Sequence, residues 1–391
     1  MKKRLGAVSL FIKETDKLLF FSCIAVSLFG LLMVYSATRC DLAEGELFSR
    51  DFLIMLIAVV LGIGMCLVIS YFNYEVFTRY WLFIGAICIV ALLLLFPFGS
   101  GPSSRPDART WIRFGDLFSI QPSEFVKIGF IITFSVHLER LRDKLNRFWS
   151  VAQLGLHALV PTALVLLTGD MGSALVFLII AVIMLFIGGV HWGYFLGGFA
   201  LLCAAVPLVW TFVFSSIQKN RFLALIYPEL YPNIIYQQQN GINAIGSGGI
   251  TGQGLFQGAY TQAGTVPESQ NDFIFTAIGE ELGFIGCLAA LGLLCLISVR
   301  LILIGRKSRE RSTNLICCGM AAMIISQTVI NVGMCLMLMP VIGITLPFFS
   351  AGGSSNLGVY LGIGLALSIY RHNCDQGAVN IRVYDSLKNV Q

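Results

Sequence analysis

The chain has 391 residues, 57% of them hydrophobic and 12% charged, with a mean hydropathy of +0.81. A soluble domain carries about 25% charged residues, so this composition excludes an ordinary soluble enzyme and predicts an all-α polytopic membrane protein. The formal charge of +5 sits in short segments between apolar runs, a pattern of membrane topology and not of a nucleic-acid surface.

The opening "MKKRLGAVSLFI" imitates a signal peptide, but its apolar run is short and ends at Lys13-Glu14. The next apolar stretch is long enough to span and reads as an uncleaved first helix. Apolar windows then predict ten spans, near 17–37, 52–72, 80–98, 120–138, 151–168, 171–189, 192–214, 273–300, 313–338 and 354–370. With the N-terminus inside, eighteen Lys and Arg residues fall in inward segments and seven in outward ones. The positive-inside rule therefore predicts that both termini are cytoplasmic. The expected organisation is one integral membrane domain over 1–391, with a cytoplasmic segment 1–16 and a cytoplasmic tail 371–391.

Two outward segments are long: 99–119, and 215–272 between spans seven and eight. A third, "MPVIGITLPFFSAGGSS" (339–355), is apolar but broken by Pro340, Pro347 and glycines. Broken backbone at membrane depth is tolerated only inside protein or beside a water-filled cavity, so this segment reads as cavity-lining. Of the eleven cysteines, Cys40 alone is expected to face outward, so no extracellular disulfide framework is available. No internal repeat supports an inverted-repeat transporter.

The chemistry-bearing residues crowd one stretch, "VPESQNDFIFTAIGEELGFIG" (266–286). Asp272 stands where an outer segment becomes a helix, with Glu268 four residues earlier. Two readings of Asp272 are open: a helix cap, or a general base at the water–membrane boundary. Glu280 and Glu281 lie about two turns deeper, where a carboxylate needs a partner or a wet cavity. In "IQPSEFVKIGF", Glu124 and Lys127 share a helical face, as an ion pair or as a lysine lining a lipid-phosphate cavity. Upstream, "DARTWIRFG" sets Arg109 and Arg113 around Trp111, a belt tryptophan or part of a pyrophosphate grip. The glycine-rich "NAIGSGGITGQGLFQG" (243–258) fits neither phosphate-binding glycine pattern. Four scattered histidines give no zinc signature.

Taken together, "ARTWIRFG…QPSEFVKI", "NRFLALIYPE", "AIGSGGITGQGLFQG", "VPESQNDFIFTAIGEELG" and "MPVIGITLPFFSAGGSS" resemble the successive signatures of the SEDS proteins, the family of RodA and FtsW. The resemblance spans about residues 15–371. It implies a glycosyltransferase that polymerises lipid II into glycan strands at the outer face of the bacterial cytoplasmic membrane. It also implies a class B penicillin-binding protein as transpeptidase partner. The family's essential aspartate falls on Asp272 and its motif tryptophan on Trp111; its Glu/Lys pair falls on Glu124 and Lys127. The chain departs from the family's usual residues at Thr110, Asn240-Gly241, Gln270-Asn271 and Ala351.

On this reading Asp272 is the catalytic base, and Arg109, Trp111, Glu124, Lys127, Arg221, Glu268 and Glu281 are substrate-binding. Arg109, Lys127 and Arg221 are the expected pyrophosphate clamp. A divalent cation (Mg or Mn) would serve by the same charge logic, although no ligand cluster marks a metal site. "AIGSGG" and "MPVIGITLPFF" are more like RodA, the elongation member, with FtsW, the division member, as the alternative. A lipid flippase and a non-catalytic scaffold for the penicillin-binding protein are the competing classes.

Overall fold

The structure, a computed structural model, describes residues 15–42, 45–101, 108–115 and 118–388, with side chains described to 373. Most of the N-terminal segment 1–16, Arg105 of the loop 99–119, and the end of the tail 371–391 lie outside the described residues. Helices occupy all ten predicted windows: α1 (Lys17–Ala37), α2 (Arg50–Tyr71), α4 (Trp81–Leu93) continued by α5 (Leu95–Phe98), α6 (Pro122–Arg140), α7 (Phe148–Leu167), α8 (Met171–Ile187), α9 (Trp192–Leu208), α13 (Ile274–Lys307), α14 (Arg311–Cys335) and α15 (Gly353–Lys388). The short α3 (Tyr74–Arg79) joins α2 to α4. Seven of the described helices are long and apolar enough to cross a membrane by length and composition. The remaining three depart for visible reasons: α6 carries Glu124 and Lys127, α8 has 17 residues, and α15 runs on into a polar tail.

Side-chain burial separates an inner from an outer set. Helices α6, α14 and α15 and the first two turns of α13 bury residues along most of their circumference, whereas the rest of α13 buries one face and α9 buries none. In a soluble protein such an exposed apolar helix would be untenable, but here lipid covers it. Helix α15 packs along α2, α13 against α14, and α1 and α11 (Pro232–Gly248) against α13.

The two long segments expected to face outward carry regular structure among their described residues. Residues 215–272 contain α10 (Ser216–Ile226), α11 and α12 (Ala259–Gln262). Helix α10 starts with a capping box, in which the Ser215 hydroxyl takes the Gln218 amide and the Gln218 side chain returns to the Ser215 amide. The other segment forms a small antiparallel hairpin, β1 (Ile112–Phe114) with β2 (Phe118–Ile120), in register Ile112 to Ile120. Ser100 and Trp111 extend it with paired backbone bonds.

Helix α13 is broken. At Gly283 the backbone turns to φ 66, ψ −162, so the element is two helices joined end to end. The glycine-rich stretch 248–258 lies in the break. The Gln253 and Gly254 amides donate to the carbonyls of Glu280 and Glu281 (2.9 and 3.0 Å), and the Phe284 amide donates to Gly249 (2.9 Å). Every backbone group freed at membrane depth needs a new partner, and this loop supplies several. A Cβ on Gly248 would stand 2.0 Å from the Gly279 carbonyl, and one on Gly252 would stand 2.1 Å from that of Glu281. The glycines are therefore close-approach residues between backbones.

Candidate active site

A polar cavity of about 530 Å³ opens where the start of α13, the start of α2, the hairpin and the segment 343–353 meet. Asp272, Glu268, Asn271 and Trp111 line it, with Arg50, Asp51, Arg113, Gln121, Asp170 and Thr345. The stretch 339–352 has no regular secondary structure and contributes Gly343, Thr345, Ala351 and Gly352 to the wall. Its broken, proline- and glycine-bearing backbone thus lines a cavity within the protein.

Asp272 is half-buried. Helix α13 begins at Ile274 with Phe273 in the cap position, one residue after Asp272. Its backbone is fixed from three sides. The fully buried Asn331 side chain donates to the Asp272 carbonyl and to the Ile344 carbonyl, both at 2.8 Å. The Ser350 hydroxyl donates to the Asn271 carbonyl (2.7 Å), and the Ala351 amide to the Gln270 carbonyl (2.9 Å). Gln270 and Asn271 themselves donate to Asp51 (3.2 Å) and to Glu268 (2.9 Å). Such a shell holds a carboxylate in one place while leaving it on the cavity wall.

Asp170 is a second carboxylate of the wall. It caps α8 by accepting the Ser173 amide (2.9 Å), and its other oxygen takes the Gln121 side-chain amide (2.9 Å) and the Ser123 hydroxyl (3.4 Å). With both oxygens engaged, it ties α6 to α8 under the hairpin. Asp170, Arg50, Asp51, Gln121, Asn331 and Ser350 are the contributors that sequence reading missed. "TGDMGS" carries a capping signal at Asp170 and Arg50-Asp51 opens an apolar run, but neither pattern says that the two ends meet.

The other expected substrate residues lie elsewhere. Lys127 is fully buried and pairs with Glu124 at 2.8 Å, within one turn of α6; neither lines the cavity. The Arg109 guanidinium donates to the Phe96 carbonyl (2.6 Å) on the outer surface. Arg221 donates to the Val341 carbonyl (2.7 Å) and borders a separate cavity of about 240 Å³. Glu281 is fully buried, where both its oxygens lie 2.7 Å from the Ser36 hydroxyl and one accepts the Gln262 amide (2.9 Å). Glu280 accepts the Tyr260 and Thr261 amides (2.6 and 2.9 Å) and the Thr261 hydroxyl (2.6 Å). The cations on the cavity wall are instead Arg50 and Arg113. Among the described residues no three Asp, Glu, His or Cys side chains converge as a metal cluster.

The hairpin divides this cavity from an apolar groove of about 490 Å³ between α4 and α6. Strand side chains alternate between faces. Arg113 and Ser119, partners across the hairpin, line the polar cavity, while Ile112, Phe114 and Ile120 line the groove; Phe118 borders the polar cavity although its ring stacks on Phe114 at 5.0 Å.

The sequence profile of the FtsW/RodA/SpoVE family, described as cell cycle protein, matches residues 16–375. The chain belongs to this family. It is 31% identical over 364 residues to a probable peptidoglycan glycosyltransferase FtsW of Trichlorobacter lovleyi, covering 91% of this chain and 93% of that one. It is 26% identical over 359 residues to the peptidoglycan glycosyltransferase MrdB of Escherichia coli K12, covering 91% and 94%. A chain from a solved peptidoglycan synthase complex, described for its coordination of polymerization and crosslinking, aligns with a TM-score of 0.76 at 27% identity, over 92% of this chain and 98% of that one. The rod shape determining protein RodA of Thermus thermophilus aligns with a TM-score of 0.67 at 25% identity, over 92% and 97%.

Proposed function

We propose that this protein is a peptidoglycan glycosyltransferase that polymerises lipid II at the outer face of the bacterial cytoplasmic membrane. The observation that carries the reading is the position of Asp272: a carboxylate fixed by its backbone on the wall of a polar cavity, one strand away from an apolar groove. A substrate with a sugar pyrophosphate head and a long prenyl tail has these two halves. The tail lies in the groove beside Ile112 and Phe114, and the head turns around the hairpin into the cavity.

Asp272 takes the proton of the acceptor sugar hydroxyl as that oxygen attacks the anomeric carbon of the donor. The bond from that carbon to the pyrophosphate oxygen breaks, and the lipid pyrophosphate leaves. Arg50 and Arg113 are the cations in reach of the charge that develops on it, a role guanidinium groups suit through bidentate contact. Trp111 forms part of the cavity wall beside them. A class B penicillin-binding protein, the partner the family resemblance implies, would crosslink the product.

The experiment is lipid II polymerisation by the purified full chain, alone and with its transpeptidase. Asparagine keeps the size of aspartate but cannot act as a base. A general base contributes about 10²–10⁴-fold in rate, so Asp272→Asn should lower polymerisation by at least about a hundredfold with unchanged thermal unfolding. Near-normal polymer from Asp272→Asn defeats the assignment. Lipid II transfer between leaflets without polymer would instead favour a flippase.

Within this activity, "AIGSGG" and "MPVIGITLPFF" favour a role in elongation. The FtsW-named relatives favour division. Depletion separates them: rounded cells mark elongation and filaments mark division.

A further inference from the structure

Between α4, α6 and α7 lies another cavity, of about 700 Å³. Its polar residues on α6, Thr133 and His137, stand roughly 17 and 22 Å along the helix from the Pro122 end that borders the Asp272 site. Those polar groups form a chain. The Thr133 hydroxyl donates to the Phe130 carbonyl (3.1 Å), so it accepts from His157 Nε2–H (3.2 Å). His157 Nδ1 then carries no hydrogen and accepts from His137 Nδ1–H (3.0 Å). Gln153 lines the cavity beside this ring. The Trp81 indole lines the same wall, stacked on His137 at 6.0 Å, and its Nε1–H is buried with no partner. That atom has no surface open to the cavity, so the occupant meets the indole ring and not its N–H.

The rest of the lining indicates what that is. The Arg140 guanidinium lies over the Trp81 ring at 4.8 Å, which puts a positive charge at the polar end. The other end is apolar, and Leu82, Val90, Leu156 and Val160 are exposed along it. The cavity therefore opens sideways, into lipid. Trp149 and Trp192, exposed at the starts of α7 and α9, mark the headgroup level at this end of the bundle. We propose that this cavity binds an anionic membrane phospholipid. One acyl chain lies along α4 and α7, and the phosphate pairs with the Arg140 guanidinium above the Trp81 ring. The site is separate from the Asp272 cavity and meets the apolar groove at Cys88 and Val126, which line both.

The test uses the full chain in nanodiscs with a phosphatidylglycerol carrying a photoreactive diazirine at its acyl end, against a phosphatidylcholine analogue with the same chains. Phosphatidylglycerol should label the α4 and α7 segments 86–90 and 156–160 preferentially. Arg140→Gln keeps a polar side chain of similar reach but removes the charge. It should lower that labelling about tenfold, the size expected of one charge-assisted hydrogen bond. Gly85→Leu fills the space, since a Cβ there meets only Thr133 Cγ2, at 3.6 Å; it should abolish labelling by either lipid while the protein unfolds at an unchanged temperature. Equal labelling by the two lipids, labelling spread over α9, or labelling insensitive to both variants overturns the proposal.

Discussion

Three acidic residues in one short stretch, Asp272, Glu280 and Glu281, have quite different surroundings. Asp272 lines a polar cavity, whereas the two glutamates are sealed inside and satisfied by donors alone. Those donors are not equivalent. Glu280 holds two backbone amides, one on each oxygen, and an amide cannot become an acceptor. Glu281 holds the Ser36 hydroxyl, which can turn, and the Gln262 amide. In Glu280→Gln the new NH₂ group faces an N–H wherever it points. In Glu281→Gln it can donate to Ser36. Glu280→Gln should therefore lower stability by about 1–3 kcal/mol, and Glu281→Gln by clearly less. Thermal unfolding of the detergent-purified variants measures both. Equal losses would show that the hydroxyl does not rotate. The buried Lys127–Glu124 pair belongs with these glutamates, as a feature of the interior that from sequence alone resembled part of the binding site.

The break in α13 is the clearest case of an element whose meaning is non-local. Gly283 adopts a positive φ that other residues rarely reach, and a Cβ there would stand 2.3 Å from the Gly252 amide. Gly283→Ala should be destabilising by more than the 1–3 kcal/mol of such backbone strain alone. Gly246 is the control: it is exposed on α11 with nothing within 4 Å of an added Cβ, so Gly246→Ala should stabilise by about 0.5–1 kcal/mol. Yields of folded protein and unfolding temperatures read the two signs. The hydrophobic pattern revealed the ten helices because each apolar run is local. It could not reveal the break, because "EELGFIGCLAALG" is continuous in period and the loop that fills the gap lies about thirty residues upstream. The candidate site divides in the same way. Asp272, Glu268 and Trp111 carried local motifs and line the cavity. Arg50, Asp170 and Asn331 reach it only through the packing of α2, α8 and α14. Arg109 and Arg221 have suitable charge, but their guanidinium groups are committed to carbonyls outside the cavity.

At the scale of the whole molecule, the helix ends form two unlike surfaces. One carries the Asp272 cavity, the hairpin and the ordered segment 215–272. The other carries Arg79, Arg140, Arg142, Lys144 and Arg147, with Trp149 and Trp192 exposed beside them. The positive-inside rule predicts a cytoplasmic second surface, an expectation that would turn the Asp272 cavity outward and both termini inward. Gln262 is a poor reporter of this, because its amide bonds Ser36 and Glu281. Glu229 and Asp143 are exposed, one on each surface. In a background with the exposed Cys40 changed to serine, Glu229→Cys should react with a membrane-impermeant maleimide in intact spheroplasts. Asp143→Cys should react only after permeabilisation. The reverse pattern would put Asp272 on the cytoplasmic side, where a polymer made by this chain could not join the wall, and the proposed reaction would fail along with the topology.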